Sequence, residues 1–259
     1  MNPSSLKKKL SSLPLGEIRY FDSTGSTNDL ALAWATEGAP DLSLVLADEQ
    51  TQGRGRAGRK WATPPRSALA LSLILRPTSA ETDIPSLLTG LGALALVDAL
   101  KTFGLTAQIK WPNDVLLNGK KCAGILVESV WTGEALDASV LGMGVNVLAS
   151  AVPPAVELLF PATSVEDELG HAVDRLDLLR ELLAALLIWR KRMGSGEFVS
   201  AWEEALAYKG EPVSVGDGSG SSLEGRVAGL ESDGSLRLQL EDGRIVAVHF
   251  GEMRLRPTL

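Results

Sequence analysis

The segment Gly53-Arg54-Gly55-Arg56-Ala57-Gly58-Arg59-Lys60-Trp61 gathers four cations, three glycines and an indole into one short stretch of chain. Glycine lets a backbone close over a ligand, arginine forks match phosphate or carboxylate oxygens, and tryptophan stacks on a base or packs on an arginine. The first six residues reproduce the dinucleotide spacing G-x-G-x-x-G, but that fingerprint needs a helix to begin within the glycines. Here Ala62, Thr63, Pro64 and Pro65 follow, then a strand-like run, so the spacing does not make a dinucleotide loop. It also misses the P-loop pattern, with Arg59 where lysine belongs and no Ser or Thr next. A basic run is also ordinary on a solvated face. With the charge confined to one mobile loop, small-molecule anions suit it better than a polynucleotide.

Three later segments could share a site with it. In Lys110-Trp111-Pro112-Asn113-Asp114 the residue before proline is held extended, so Lys110, Asn113 and Asp114 project from a strand end or turn. Asn and Asp after Pro are also common turn residues. Lys120-Lys121-Cys122-Ala123-Gly124-Ile125-Leu126-Val127-Glu128 sets a lysine at the foot of an apolar strand, where it points into a cleft or guards an edge. Gly142-Met143-Gly144-Val145-Asn146 puts two glycines in a strand, which marks close approach by a ligand or backbone, or a bulge.

These segments need elements to hold them. Glu17 to Phe21 and Ser43 to Ala47 read as short strands. Between them Ser26 and Asp29 resemble a capping box opening a helix with Leu30, Ala33 and Trp34. Leu69, Leu71, Leu73 and Leu75 alternate with Ala or Ser at the period of a strand. Asp83 with Pro85 starts a long helix that stops at Gly104. Asn118-Gly119 between Val115 to Leu117 and Ala123 to Val130 is a hairpin turn, because both residues tolerate positive φ. A turn at Thr132-Gly133 leads into Leu136 to Val147, Pro153-Pro154 ends the sheet, and helices follow over Arg175 to Met193 and Glu197 to Tyr208. From Glu211 onward the texture becomes short β-prone runs, Pro212 to Val215, Leu223 to Gly229, Leu236 to Leu240 and Ile245 to His249. Turns at Gly218-Ser219-Gly220, Asp233-Gly234 and Asp242-Gly243 separate them, which suggests a small barrel.

Composition narrows the class. The 259 residues carry 25 Lys and Arg against 32 Asp and Glu, a net charge of −7, contrary to a chain whose main work is gripping nucleic acid or an anionic membrane. The single Cys122 cannot form an internal disulfide, and His171 and His249 do not make a zinc site with it. Lys7, Lys8 and Lys9 have no apolar stretch behind them, and Leu182 to Trp189 is too short to span a bilayer. A cytoplasmic protein without membrane association is the expectation.

Taken in order, Ser26-Thr27-Asn28, Gln50 with GRGRAGRKW, KWPND, KKCAGILVE and GMGVN closely resemble the successive motifs of bacterial biotin protein ligases, over about residues 17 to 259. The resemblance implies an α+β fold: a mixed, largely antiparallel sheet flanked by helices, of the kind shared with lipoate ligases and class II synthetases, over residues 1–209. Residues 210–259 would form a small SH3-like β-barrel. It also implies a reaction in which biotin and ATP give biotinyl-5′-AMP and pyrophosphate, after which biotin passes to a lysine of a biotin carboxyl carrier protein. Biotin and ATP with Mg²⁺ are then substrates and activator, and no prosthetic group is implied.

By the same resemblance, Ser26, Thr27, Asn28, Gln50, Arg54, Gly55, Arg56, Lys121 and Gly124 hold biotin. Arg56, Arg59, Trp61, Lys110, Asn113, Lys121 and Asn146 hold the nucleotide, with Trp61 against the adenine. Arg54, Arg56, Lys121 and Asp114 serve the chemistry, the three cations stabilising the charge that builds as a carboxylate meets a polyphosphate. Asp114 partners either Mg²⁺ or one of the cations. The basic loop becomes a lid that keeps water from the mixed anhydride. About 16 residues precede the first strand, against the roughly 50 of an independent domain, so no DNA-binding repressor activity is expected. Ala57 stands where some relatives have arginine. The natural carrier, and the choice between monomer and edge-to-edge homodimer, stay open.

Two other readings compete. Lipoate ligase activates a similar acid, though the GRGR loop favours biotin. A non-enzymatic nucleic-acid binder would need a basic C-terminal segment, whereas Glu224, Asp233, Glu241, Asp242 and Glu252 dilute its arginines. A Ser-His-Asp hydrolase lacks its G-x-S-x-G.

Overall fold

A computed structural model describes residues 1–78, 81–82, 84–216, 222–249 and 254–257. It opens with a helix that the lysine run concealed, α1 (Pro3–Leu10), capped by the Asn2 side chain accepting from Ser5 N. Leu6 and Leu10, four apart, share a face and are buried while the lysines stay outside.

The strands β1 (Ile18–Phe21), β2 (Leu44–Ala47), β3 (Ala68–Leu75), β4 (Ala107–Lys110), β5 (Asp114–Leu117), β6 (Lys120–Thr132) and β7 (Ala135–Asn146) form one sheet in the order β1-β2-β3-β7-β6-β5-β4. Only β1 and β2 run parallel; every other pair is antiparallel, so the sheet is mixed and largely antiparallel as expected. Asn118 (φ 48°) and Gly119 (φ 73°) turn β5 into β6 with both residues at positive φ.

Five further helices, α2 (Thr27–Thr36), α3 (Leu88–Thr102), α4 (Val165–Leu169), α5 (Arg175–Arg190) and α6 (Gly196–Glu204), flank this sheet. On one face Leu69, Leu71, Leu73 and Leu75 join α3 and α5 in the main core, where Leu182, Leu183, Leu186 and Trp189 of the apolar run are also buried and Ile188 is exposed. On the other, α2 packs Ala31, Trp34 and Ala35 against Val45, Ile74 and Val140. Ser26 stands at the start of α2 as the sequence suggests, but its side chain makes no capping bond. The expected helix start at Asp83 lies outside the described residues; Pro85–Leu87 make a 3-10 turn before α3. No helix among the described residues is long and apolar enough to cross a membrane.

The C-terminal strands β8 (Pro212–Gly216), β9 (Ser222–Leu230), β10 (Leu236–Gln239), β11 (Ile245–Val248) and β12 (Arg254–Pro257) form an antiparallel sheet in the order β11-β10-β9-β8-β12. Here the expected SH3-like barrel is corrected. β11 pairs with β10 and β12 with β8, and no ladder joins the two edges among the described residues, so the sheet is open. Closure is one way to bury an apolar face; this sheet uses another. Val213, Val215, Val227, Leu236, Leu238 and Val248 point into the same core as Trp111, Trp202 and Leu87, and Trp111 Nε1 donates to Gly234 O at 2.9 Å. The expected turn at Gly218-Ser219-Gly220, and Glu252, lie outside the described residues.

Candidate active site

The face of the sheet that carries α2 has a floor of very small residues beyond the helix. Register sets Ala70 opposite Gly144, Ser72 opposite Gly142, and Gly124 beside Gly144, so the residues alternating with the buried leucines supply it. The two glycines of Gly142-Met143-Gly144 answer to side chains, not to a bulge or a neighbouring backbone. A Cβ at Gly142 would overlap the Asn28 amide, and one at Gly144 would overlap the Trp61 indole.

Across this floor runs a set of polar contacts. Thr27 N and Oγ1 lie 2.8 and 3.0 Å from Gln50 Oε1, and Gln50 Nε2 donates to Thr63 Oγ1 at 3.1 Å. Ser72 Oγ, fully buried, sits 2.8 Å from Thr27 Oγ1 and 2.6 Å from Asn28 Oδ1. Asn28 Nδ2 donates to Glu128 Oε2 at 2.8 Å, and Arg54 donates to both Glu128 oxygens at 2.9 and 2.7 Å and to Asp29 Oδ1 at 2.6 Å. Bonding to Glu128 raises the Arg54 pKa further above its already high value. The cation counted from sequence as stabilising the reaction is thus engaged by two carboxylates, and Asn28 has its amide engaged on both sides.

The basic loop folds on itself. Gly55 N donates to Arg59 O at 2.7 Å, Trp61 N to Gly53 O at 2.8 Å, and Arg56–Gly58 make a 3-10 turn. Its tryptophan lies on the glycine floor, with Nε1 buried and without an acceptor among the described residues. Lys121 Nζ stands 5.5 Å from the Trp61 ring centroid and 2.6 Å from Asp114 Oδ1, and Lys110 Nζ is 3.8 Å from Asp114 Oδ2 and 4.1 Å from the Phe160 ring centroid. Asp114 thus contacts two lysines.

Segment 158–163 buttresses that junction. Lys121 N donates to Pro161 O and Thr163 N to Lys121 O, while Asn146 Nδ2 donates to Thr163 O at 3.1 Å. Glu168, on α4, accepts from Thr163 Oγ1, Asn118 and Lys120. Burial works against its charge, but these bonds hold its carboxyl below the usual glutamate range. Burial also pushes the Cys122 thiol up to about 12, so it stays a neutral thiol.

Two adjoining cavities result. The larger, about 380 Å³, is lined by Arg59, Lys60, Trp61, Lys110, Asn113, Asp114, Lys121, Asn146, Leu158, Leu159 and Phe160 among others. The smaller, about 90 Å³, is lined by Ser26, Thr27, Asn28, Gln50, Arg54, Gly55, Arg56, Gly124, Gly142 and Gly144, and shares Arg59, Lys60, Trp61, Asn113 and Lys121 with the larger. Every residue singled out in the sequence for either ligand lines one cavity or both, though Arg56 reaches only the smaller. Sequence reasoning missed Ser72, Glu128, Asp29, Thr63, Phe160 and Glu168. Two had a signal: Ser72 is the lone hydroxyl in ALALSLIL, and Glu128 ends an apolar run.

Paired cavities that share Arg59, Lys60 and Lys121, beside a basic loop on an α+β fold, suit an enzyme that joins a small acid to a nucleotide. The comparisons agree. Residues 20–146 match the Biotin/lipoate A/B protein ligase family and residues 209–256 the Biotin protein ligase C terminal domain. The chain is 40% identical over 230 residues to the biotin--[acetyl-CoA-carboxylase] ligase of Paracoccus denitrificans, covering 86% of this chain and 94% of that one. It is 34% identical to the Mycobacterium tuberculosis enzyme of the same name, over 89% and 85% of the two chains. The solved biotin protein ligase from Aquifex aeolicus in complex with biotin and ATP superposes with a TM-score of 0.80 at 28% identity, over 93% of this chain and 99% of that one. The chain belongs to the biotin protein ligase family. It is an ATP-dependent enzyme that activates biotin and transfers it to a carrier protein.

Proposed function

We propose that the smaller cavity takes the biotin ring system, the larger takes the nucleotide, and the reacting groups meet at Lys121. The observation that carries this is the sharing of Lys121, Arg59 and Trp61 by the two cavities. A ureido group suits the few polar atoms of Ser26, Thr27 and Gln50, and a ring and alkyl chain suit the glycine floor and the indole. The smaller cavity is well under the roughly 300 Å³ of ordinary ligand pockets, so the Trp61 loop moves aside to admit the acid and then covers it.

The chemistry follows from charge. A carboxylate oxygen attacks the α-phosphorus of ATP, the bond to the β-phosphate oxygen breaks, and pyrophosphate leaves. Lys121, with Arg56 and Arg59, offsets the repulsion between the two anions and the charge that builds in the transition state. Arg54, held by Asp29 and Glu128, anchors the loop instead of meeting phosphate. In the second step the ε-amine of a carrier lysine attacks the acyl carbon of biotinyl-5′-AMP, AMP leaves, and the amine gives up its proton. The acceptor we propose is a biotin carboxyl carrier domain, the kind of substrate that the names of relatives indicate. We assign residues 1–209 to catalysis and 210–259 to a C-terminal unit docked beside it.

Mg²⁺ fits as a companion of the ATP phosphates. No cluster of three His, Cys, Asp or Glu among the described residues could hold it, and Asp114 is engaged by two lysines. The ion would arrive on the polyphosphate, where it supplies neutralising charge.

The test is incubation with biotin, ATP, Mg²⁺ and a biotin carrier domain, with lipoate in parallel. Pyrophosphate release and a biotinylated lysine are expected with biotin alone. Equal release with lipoate would overturn the pocket assignment.

A further inference from the structure

The polar contacts beneath the smaller cavity form one line that begins on the basic loop and ends two residues beyond it. Arg54, at the front of that loop, is held by Glu128; Glu128 is bonded to Asn28, and Asn28 to Ser72. Ser72 meets Thr27, Thr27 meets Gln50, and Gln50 holds Thr63, just behind the loop.

Proton counting gives the line a direction. Ser72 Oγ is the donor in both of its side-chain contacts, so its single proton is shared between Asn28 Oδ1 and Thr27 Oγ1. Thr27 gives its own hydroxyl proton to Gln50 Oε1, which also accepts from Thr27 N. Thr27 and Gln50 line the smaller cavity and so meet a ligand directly, whereas Ser72 lines neither cavity and acts through them. Removing a buried member leaves its neighbours unpaired, so the line acts as a unit.

We propose that Glu128, Asn28 and Ser72 are positioning residues that couple biotin occupancy to closure of the basic loop. Glu128 and Ser72 line neither cavity, and Asn28 lines only the smaller. Glu128 fixes the Arg54 end and Gln50 the Thr63 end, so a polar ligand group that engages Thr27 or Gln50 enters the same line. Loop order and acid affinity then share one coupling free energy, felt equally in both directions. The inference rests on the assignment of the smaller cavity to biotin.

Ser72→Ala decides it, because the Ser72 hydroxyl bonds Thr27 and Asn28, neither of which belongs to the loop. Glu128→Gln, which keeps size and removes charge, is the companion. Each is compared with the parent in KM for biotin and for ATP, in the rate at which biotinyl-5′-AMP leaves the enzyme, and in tryptic cleavage at Arg54, Arg56, Arg59 and Lys60 with and without biotin. Both variants should raise the biotin KM and the adenylate loss rate about tenfold, the loss of roughly one buried hydrogen bond. The ATP KM should change less than twofold, and biotin should no longer slow cleavage of the Ser72→Ala loop. Undiminished protection in Ser72→Ala, or biotin and ATP KM values rising together as in a general loosening, would overturn the coupling. A parent with no biotin-dependent pyrophosphate exchange would instead remove the cavity assignment, and the inference with it.

Discussion

Lys121 Nζ lies 2.6 Å from Asp114 Oδ1, at the point where the two cavities join and with both side chains largely shielded from water. The carboxylate aims the ammonium before any ligand arrives, and Lys110 adds a second cation from the other side. Orientation of that kind lowers the reorganisation needed when two anions are brought together.

Lys121→Ala should therefore cut the rate of adenylate formation by about 10² to 10³, the usual cost of deleting one preorganised charge-stabilising group. Asp114→Asn should cost less, about tenfold, by releasing the aim of Lys121. Titration of activity against Mg²⁺ distinguishes the two possible roles of Asp114. The half-activating concentration stays where it is if the aspartate serves the lysines, and rises sharply if it binds the metal.

Arg56 lines the smaller cavity from the 3-10 turn of the loop. Arg56→Ser should leave thermal stability within about 0.5 kcal/mol of the parent, as for most surface changes. It should speed the escape of biotinyl-5′-AMP, measured by gel filtration of the loaded enzyme and by biotinylation of bystander lysines. Escape no faster than the parent's would remove the lid role.

Gly142 is required by Asn28, whose amide occupies the space above it. Gly142→Ala should destabilise the fold by about 1 to 3 kcal/mol through overpacking, read by urea unfolding. Gly144→Ala presses instead on Trp61, which the loop can withdraw. Its main effect should be weaker binding of both substrates.

Glu168 gives the acid limb of stability. Its folded pKa is lowered, so its contribution is complete above the unfolded value of 4.5 and is lost as pH falls through the folded one. Asp48 behaves alike: burial opposes its charge, yet the N-terminal ammonium, Tyr20 and Arg175 hold its pKa down. Glu168→Gln should cost about 1 to 2 kcal/mol at pH 7. Its urea midpoint should then fall less steeply than the parent's between pH 5 and pH 3.

Much of the fold was legible because it is written locally. The Asn118-Gly119 turn, the leucine alternation of β3 and the long α3 each follow from a few neighbouring residues. Helix α1 was not, since two buried leucines among three lysines make too weak a stripe. The C-terminal strands were foreseen, apart from β12, and their closure into a barrel was not correct. Alternation says which face of a strand is apolar, and is silent on what covers it.

The motifs, their order, and the residue types that a carboxylate and a polyphosphate require are all legible along the chain. Tertiary structure decided how those residues are used. Arg54 reads as a free cation until Glu128, 74 positions away, is brought to within 2.7 Å of it, and Ser72 reads as a small strand residue until it meets Asn28, 44 positions away. Periodicity and turn chemistry act over a few residues, whereas a hydrogen bond needs two atoms within about 3 Å, and only the completed sheet register sets that distance.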